Sequence, residues 1–225
     1  MCGRFSFTST KEKVERALEI TLGKELQKSY NIAPTQRAYV VTNEHPQHLQ
    51  AYNWGLIPHW ADEAKMTGKL INARSESISS KPSFRIPIRH KRCLVLADSF
   101  YEWKPYGKKK LPYRIMMKND DLMVMAGIWD VWKEGNEVIK TFSILTTLPN
   151  KEMEMIHDRM PVIFSERDVQ KKWLEDIPLQ EVLGMMQTVK DNSLKFYQVS
   201  DKLNSVQANS EELHHEVLAP PTLFD

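Results

Sequence analysis

Five residues combine a reactive or polar side chain with a setting that suits chemistry. Cys2 follows the initiator methionine and has a small side chain of the kind an aminopeptidase tolerates, so removing Met1 would expose an amine and a thiol on adjacent carbons. Reference pKa values of about 7.7 to 8.0 and about 8.5 leave both groups partly nucleophilic near neutrality. The amine can add to an aldehyde and lose water as an imine, after which the thiol closes a five-membered thiazolidine. Alternatively, the thiol attacks an acyl group with the amine as its base. A cysteine in a frayed terminus explains the same residue without chemistry.

Glu102 lies in SFYEW between Tyr101 and Trp103, where aromatic surroundings disfavour the charged carboxylate and suit a proton donor. An outward-facing carboxylate on an alternating strand fits equally well. His157, in IHDRMP with Asp158 and Arg159 beside it, sits where a loop histidine can act as acid, base or electrophile. A hydrogen-bonded surface histidine has the same spacing. Asn72 and Arg74 in INARSES are suited to a polar substrate, Arg74 through its fork to phosphate. A helix start capped by Asn72 or Ser75 accounts for the same letters. WGLIPHW, with Trp54, Pro58 and Trp60, offers flat aromatic surface for an unpaired base or simply core packing. Cys93, inside RCLVLADSF, reads as a small buried hydrophobe.

The elements that must position these residues are legible in part. Ser9 with Glu12 forms a capping box, and Val14, Leu18 and Leu22 recur on one face, which predicts a helix ending near Ser29. The runs YVVT, HLQAYNW, RCLVLADSFYEW, YRIMM, LMVMAGIWDVW and VIKTFSILTT predict strands. Glu134-Gly135-Asn136 predicts a hairpin turn, and Pro105 to Lys110 a longer polar loop. SERDVQKKWLED, capped by Ser165, and PLQEVLGMM predict two helices, and LKFYQVS a last strand before a tail from about residue 201. Trp129, Trp132 and Trp173 fall at core-like positions. Strands cluster in the middle without regular helix alternation, so the expectation is α+β: a mostly antiparallel, barrel-like β core with flanking helices.

Composition bounds the rest. The 225 residues are 41% hydrophobic and 27% charged, with 31 Lys+Arg against 29 Asp+Glu, which is an ordinary globular balance. Charge is nonetheless uneven: Lys81 to Lys118 holds eleven basic residues and two acids, an anion-binding footprint or a solvated face. Two cysteines exclude a disulfide framework and suggest a reducing compartment. No CxxC, HExxH or zinc spacing occurs, so neither a metal nor an organic cofactor is expected. His214 and His215 are expected to be exposed in a polar tail. No apolar run approaches a membrane span, and the start lacks the blocks of a signal peptide, which points to the cytoplasm.

Seven ordered blocks carry a family resemblance: MCGRF, YNIAPTQ, WGLIPHW, INARSES, RCLVLADSFYEW, AGIWD and IHDRMPVI. Together they resemble the SOS response-associated peptidase family, the abasic-site-processing proteins. The resemblance implies one compact domain over residues 1–225, with a barrel-like core and a basic cleft for single-stranded DNA; a monomer is the default expectation, nucleoid-associated when bound to DNA. It implies removal of Met1, possible autopeptidase and lyase activity, and a thiazolidine crosslink to abasic sites through Cys2. Asn72 then matches the residue positioning the amine, Glu102 the acid/base carboxylate and His157 the catalytic histidine. Arg4, Asn31, Pro34, Arg74 and Trp103, with Arg159, match positions lining the DNA path. Trp60 is followed by Ala61 where some members carry a second bulky aromatic, which weakens a wedge at that place. Two other readings compete: a thiol peptidase acting on other proteins, and a noncatalytic module that binds single-stranded or modified DNA.

Overall fold

The computed structural model describes residues 2–62 and 68–217. Met1 and the end of the expected domain lie outside them.

Five strands close a barrel. They are β3 (Arg37–Thr42), β4 (His45–Trp54), β6 (Arg92–Ala97), β9 (Met123–Glu134) and β10 (Glu137–Thr147), hydrogen-bonded in the cyclic order β10-β4-β3-β6-β9 and back to β10. Every pairing in the ring is antiparallel except β10 with β4. The run 92–103 is two strands, because the chain leaves the barrel at Asp98 and continues as β7 (Ser99–Tyr106) in a second, five-stranded antiparallel sheet. Asp98 holds the corner by accepting bonds from the backbone and hydroxyl groups of Thr8 and Ser9. That sheet runs β12 (Leu194–Gln198), β8 (Lys109–Met117), β7, β1 (Arg4–Phe7), β2 (Ser29–Ile32). Its inner face packs on the barrel, with Phe5 edge-on to Trp54 at 4.9 Å. The expected α+β architecture with a barrel-like, mostly antiparallel core is therefore the one the protein adopts.

Gly127 shows how tightly the ring is drawn. Strand β9 is flanked there by Cys93 of β6 and Ile144 of β10. A Cβ at Gly127 would lie 2.8 Å from both Cys93 Sγ and Val95 Cγ2 and 3.2 Å from Ser143 O. Gly127→Ala is expected to cost about 1–3 kcal/mol through overpacking, read as a lower urea midpoint at constant slope. A change under about 0.5 kcal/mol would show that the ring relaxes at little cost.

Local expectations needed correction in five places, one of them the helix Arg167–Leu174, which follows Glu166 with no side-chain cap, so Ser165 does not cap it. Helix α1 is Lys11–Leu18, capped by Thr10 rather than Ser9, and it stops at Glu19 in the left-handed region instead of running to Ser29. Glu15 explains the stop: its carboxylate takes the Leu22 N–H at 2.6 Å, so Leu22 reaches the core from the loop after the helix. Pro105 to Lys110 is a tight hairpin, because β7 and β8 pair as far as Tyr106 with Lys109. Residues 72–77 are strand β5 (Asn72–Arg74) followed by a 3-10 turn (Ser75–Ser77) with no side-chain cap. The segment after residue 200 is no loose tail: 3-10 turns at Asp201–Asn204 and Glu211–His214 cover the outer face of the second sheet, with Leu203 and Leu213 buried on Tyr101. His214 is consequently half-buried against Tyr30, and burial, then Arg114, pushes its pKa down to about 4, while His215 is exposed.

The helices sit against the barrel. α2 (Pro87–His90) and α4 (Arg167–Leu174) meet at Arg92 of β6, and α5 (Leu179–Gly184) packs on α2. The Arg92 guanidinium is buried and donates to Ile88 O and Arg89 O at the end of α2 and to Trp173 O and Glu175 O at the end of α4. Four carbonyls that the helices leave unpaired are thus capped by one cation.

Candidate active site

Alternation along β7 decides where its side chains go. Phe100 joins the core between sheet and barrel, whereas Tyr101 and Trp103 join the outer cluster under residues 199–213. Glu102 shares the inner face with Phe100 and is 3% exposed. Burial pushes its carboxyl above the usual range, against the opposing pull of His157.

Cys2 precedes β1 and lies in the same inner core, fully buried. Burial, then the nearby Glu102 carboxylate, raises its thiol well above the ordinary value, and the thiol points at Arg4 O, 3.8 Å away. Asn72 arrives from the side. It starts β5, which runs parallel to β10 beyond the end of β4, and its Nδ2 donates to Cys2 O at 2.7 Å. Asn72 Oδ1 is buried without a hydrogen-bond partner among the described residues.

His157 follows α3 (Lys151–Glu154), whose cap is Asn150, and its N–H continues the turn to Met153 O at 2.8 Å. The ring stands with Nε2 3.9 Å from Glu102 Oε2. At Nδ1 the Arg159 N–H donates at 3.0 Å, so a neutral ring bonded this way carries its proton on Nε2, the nitrogen facing Glu102. The structure therefore gathers Cys2, Asn72, Glu102 and His157 from four distant segments. A groove of about 740 Å³ borders His157, lined by Trp103, Lys104, Pro105 and Lys110 and by Pro149, Glu154, Met155, Ile156 and Asp158.

The remaining expected residues are spread over five places. Arg4, Asn31 and Trp103 form one network with the chain after residue 200. Arg4 Nη1 donates to Asn31 Oδ1 at 2.7 Å and Leu203 O at 2.9 Å, Asn31 Nδ2 to Ser205 O and Ala208 O, and Trp103 Nε1 to Asn204 Oδ1. Arg159 is buried and donates to Glu76 and Thr146. Pro34 is half-buried between β2 and β3, and Arg74 is exposed at the end of β5. Trp60 is half-exposed on the turn Pro58 to Ala61.

That turn depends on two residues to which the sequence reading assigned no role. Asp130, buried in AGIWD, accepts from His59 N–H and Nδ1 at 2.9 Å and from Lys91 Nζ at 2.6 Å. Burial pushes its carboxyl up, but these donors outweigh it and hold it below the usual range. Gly55 opens the same stretch at φ +120°, where a Cβ would come within 2.7 Å of the Gly68 backbone. Glu76, within INARSES, pairs with Arg159 and is likewise a residue that spacing does not single out.

With this arrangement in view, comparison with known proteins is decisive. A family model described as SOS response associated peptidase (SRAP) matches residues 1–206. The chain belongs to the SOS response associated peptidase family. Among SRAP relatives, the abasic site processing protein YoqW of Bacillus subtilis is 41% identical over 222 residues, covering 95% of this chain and 98% of that protein. The abasic site processing protein HMCES of Gallus gallus is 32% identical over 82% of this chain and 65% of that protein. A crystal structure of a Bacteroides thetaiotaomicron protein matches with a TM-score of 0.87 at 29% identity, over 96% of this chain and all of that one. Among the described residues, no helix of this SRAP protein is long and apolar enough to cross a membrane, and no group of three or more His, Cys, Asp or Glu could hold a metal ion.

Proposed function

We propose that this SRAP protein processes abasic sites in single-stranded DNA by forming a thiazolidine crosslink through Cys2, after Met1 is removed. The observation carrying the reading is the placement of Cys2 against both Asn72 Nδ2, 2.7 Å from its carbonyl, and the buried Glu102.

An abasic deoxyribose is mainly a closed hemiacetal, so its aldehyde must first be released. Glu102, holding its proton by burial, gives it to the ring oxygen as the ring C–O bond breaks and takes the hemiacetal hydroxyl proton on its other oxygen as the aldehyde forms, while His157 presents Nε2–H from the other side. The 3.9 Å between them exceeds a direct hydrogen bond and accommodates a substrate oxygen contacting both. The Cys2 amine, oriented by Asn72, adds to the aldehyde, and Glu102 returns a proton as the carbinolamine loses water. The thiol then adds to the imine carbon. Burial, which raises the thiol above its ordinary value, disfavours the thiolate and so favours attack by the amine first. Before ring closure the same imine permits β-elimination, the lyase activity, and the acid–base pair serves equally in autocatalytic removal of Met1. Arg74, Trp60 and the basic side of the groove receive flanking nucleotides without reading sequence. The protein acts as a monomer in the cytoplasm, on the nucleoid.

Intact mass tests this directly, measured before and after incubation with single-stranded DNA bearing one abasic site, beside undamaged DNA. The expected result is a chain lacking Met1 and a heat-stable adduct on damaged DNA alone, abolished by Cys2→Ala. A full yield of adduct from Cys2→Ala, or none from the processed wild type, overturns the proposal.

A further inference from the structure

We propose that Glu76 is a positioning residue which, through Arg159, determines the ring nitrogen of His157 that carries the proton. The proposal rests on the reading in which His157 presents Nε2–H to the substrate.

Two contacts compete at His157 Nδ1. The Arg159 N–H at 3.0 Å needs a lone pair there, whereas the Asp158 carboxylate, with Oδ1 at 2.8 Å, needs a proton there. The two demands give opposite tautomers. With the amide in place Nε2 carries the proton and faces Glu102; with Asp158 in control Nδ1 carries it and Nε2 becomes a bare acceptor. The Asp158 side chain is 87% exposed, so its pull is weakened by water, but it is covalently next to the ring and always within reach.

What keeps the amide in place is the anchoring of its own side chain. Arg159 Nη2 donates to Thr146 O at 2.7 Å, Thr146 Oγ1 at 3.3 Å and Glu76 Oε2 at 3.0 Å, while Nη1 donates to Glu76 Oε1. This is a two-pronged pairing, the geometry in which an arginine is held in orientation as well as in position. Glu76 follows β5 in the 3-10 turn, Thr146 lies in β10 between Arg74 of β5 and Pro161 of β11 (Met160–Pro161), and Arg159 leads into β11. The pair therefore clamps the segment bearing His157 to the segment bearing Asn72, across the strand both adjoin. Without Glu76, a buried guanidinium loses its only carboxylate partner among its described hydrogen bonds and moves toward water, taking the amide with it.

The test uses protein labelled with ¹⁵N-histidine, with the His157 ring signals assigned by His157→Gln. Nitrogen shifts report the tautomer without any DNA, so they remain readable even if no crosslink forms and the proposed function fails. Wild type is expected as the Nε2–H form. Glu76→Ala should shift the ring to Nδ1–H, slow adduct formation by roughly tenfold, the scale on which outer partners of site histidines act, and leave affinity for undamaged single-stranded DNA within about twofold. Adding Asp158→Asn should restore Nε2–H and most of the rate, which a general loss of rigidity would not do. Glu76→Gln, closer in shape, serves if Glu76→Ala does not fold, and should give the same shift in smaller measure. An unchanged Nε2–H tautomer in both Glu76 variants, or a rate loss that Asp158→Asn leaves untouched, overturns the proposal.

Discussion

Glu102→Gln will slow adduct formation about a hundredfold or more while making the folded protein more stable at neutral pH. The loss follows from removing a positioned proton donor and acceptor, worth typically about 10²–10⁴ in rate, while the glutamine keeps the shape of a side chain that is 3% exposed. The gain in stability comes from the same burial. A carboxyl whose pKa is raised on folding holds its proton more tightly in the folded state. Its contribution is fully favourable below the unfolded value of about 4.3 and is lost as pH rises through the folded value. Glutamine has no proton to lose, so its melting temperature should exceed that of wild type at pH 7 and the difference should vanish below about pH 4. The wild-type rate should also fall as pH rises through the Glu102 titration, and the variant should lack that limb. Thermal melts across pH and single-turnover crosslinking check both halves. Full activity in Glu102→Gln would remove the carboxyl from the reaction, and a lower melting temperature at pH 7 would contradict the cost assigned to its burial.

Arg92→Met should produce the largest stability loss in the protein. Methionine fills much of the volume but abandons the carbonyls of Ile88, Arg89, Trp173 and Glu175 in the interior. A buried acceptor left unsatisfied costs about 1–3 kcal/mol. With several affected together the loss should reach about 4 kcal/mol or more, the range reserved for broken buried networks. Arg92→Lys should recover only part, because one ammonium on a flexible stem cannot reach two helix ends at once. Denaturant unfolding measures this, and a loss below about 1 kcal/mol would mean the helix ends find other partners.

The barrel was legible because its strands are long, β-branched and aromatic, and the Glu134-Gly135-Asn136 turn marks the β9–β10 hairpin that closes it. β1 and β2 were not, since RFSF and SYNI are four-residue strands whose partners lie elsewhere in the chain. The identities of the candidate site residues could be read from the motifs, and Glu102 gained its inward direction only from the parity of β7 beside Phe100. What no spacing reveals is pairing over distance. Asp98 turning a corner, Asp130 holding the Trp60 turn, Glu76 bound to Arg159 and Arg4 bound to Leu203 join residues from about 70 to about 200 positions apart. Each looks like an ordinary charged residue until its partner is in view.

The strand that carries Cys2 into place has a further consequence, for the order of events in making the protein. β1 needs β7 on one side, and Arg4 needs the carbonyl of Leu203, 199 residues later. At synthesis rates of about 5–20 residues per second, roughly ten to forty seconds separate the emergence of these two partners from the ribosome. Throughout that interval Arg4, two residues from Cys2, lacks the carbonyl that it donates to in the finished fold. Under the proposed function the fold thus acts as a completion check: a chain stopped before Leu203 carries Cys2 without the full set of partners that fix β1, and full crosslinking is expected only once Leu203 is in place.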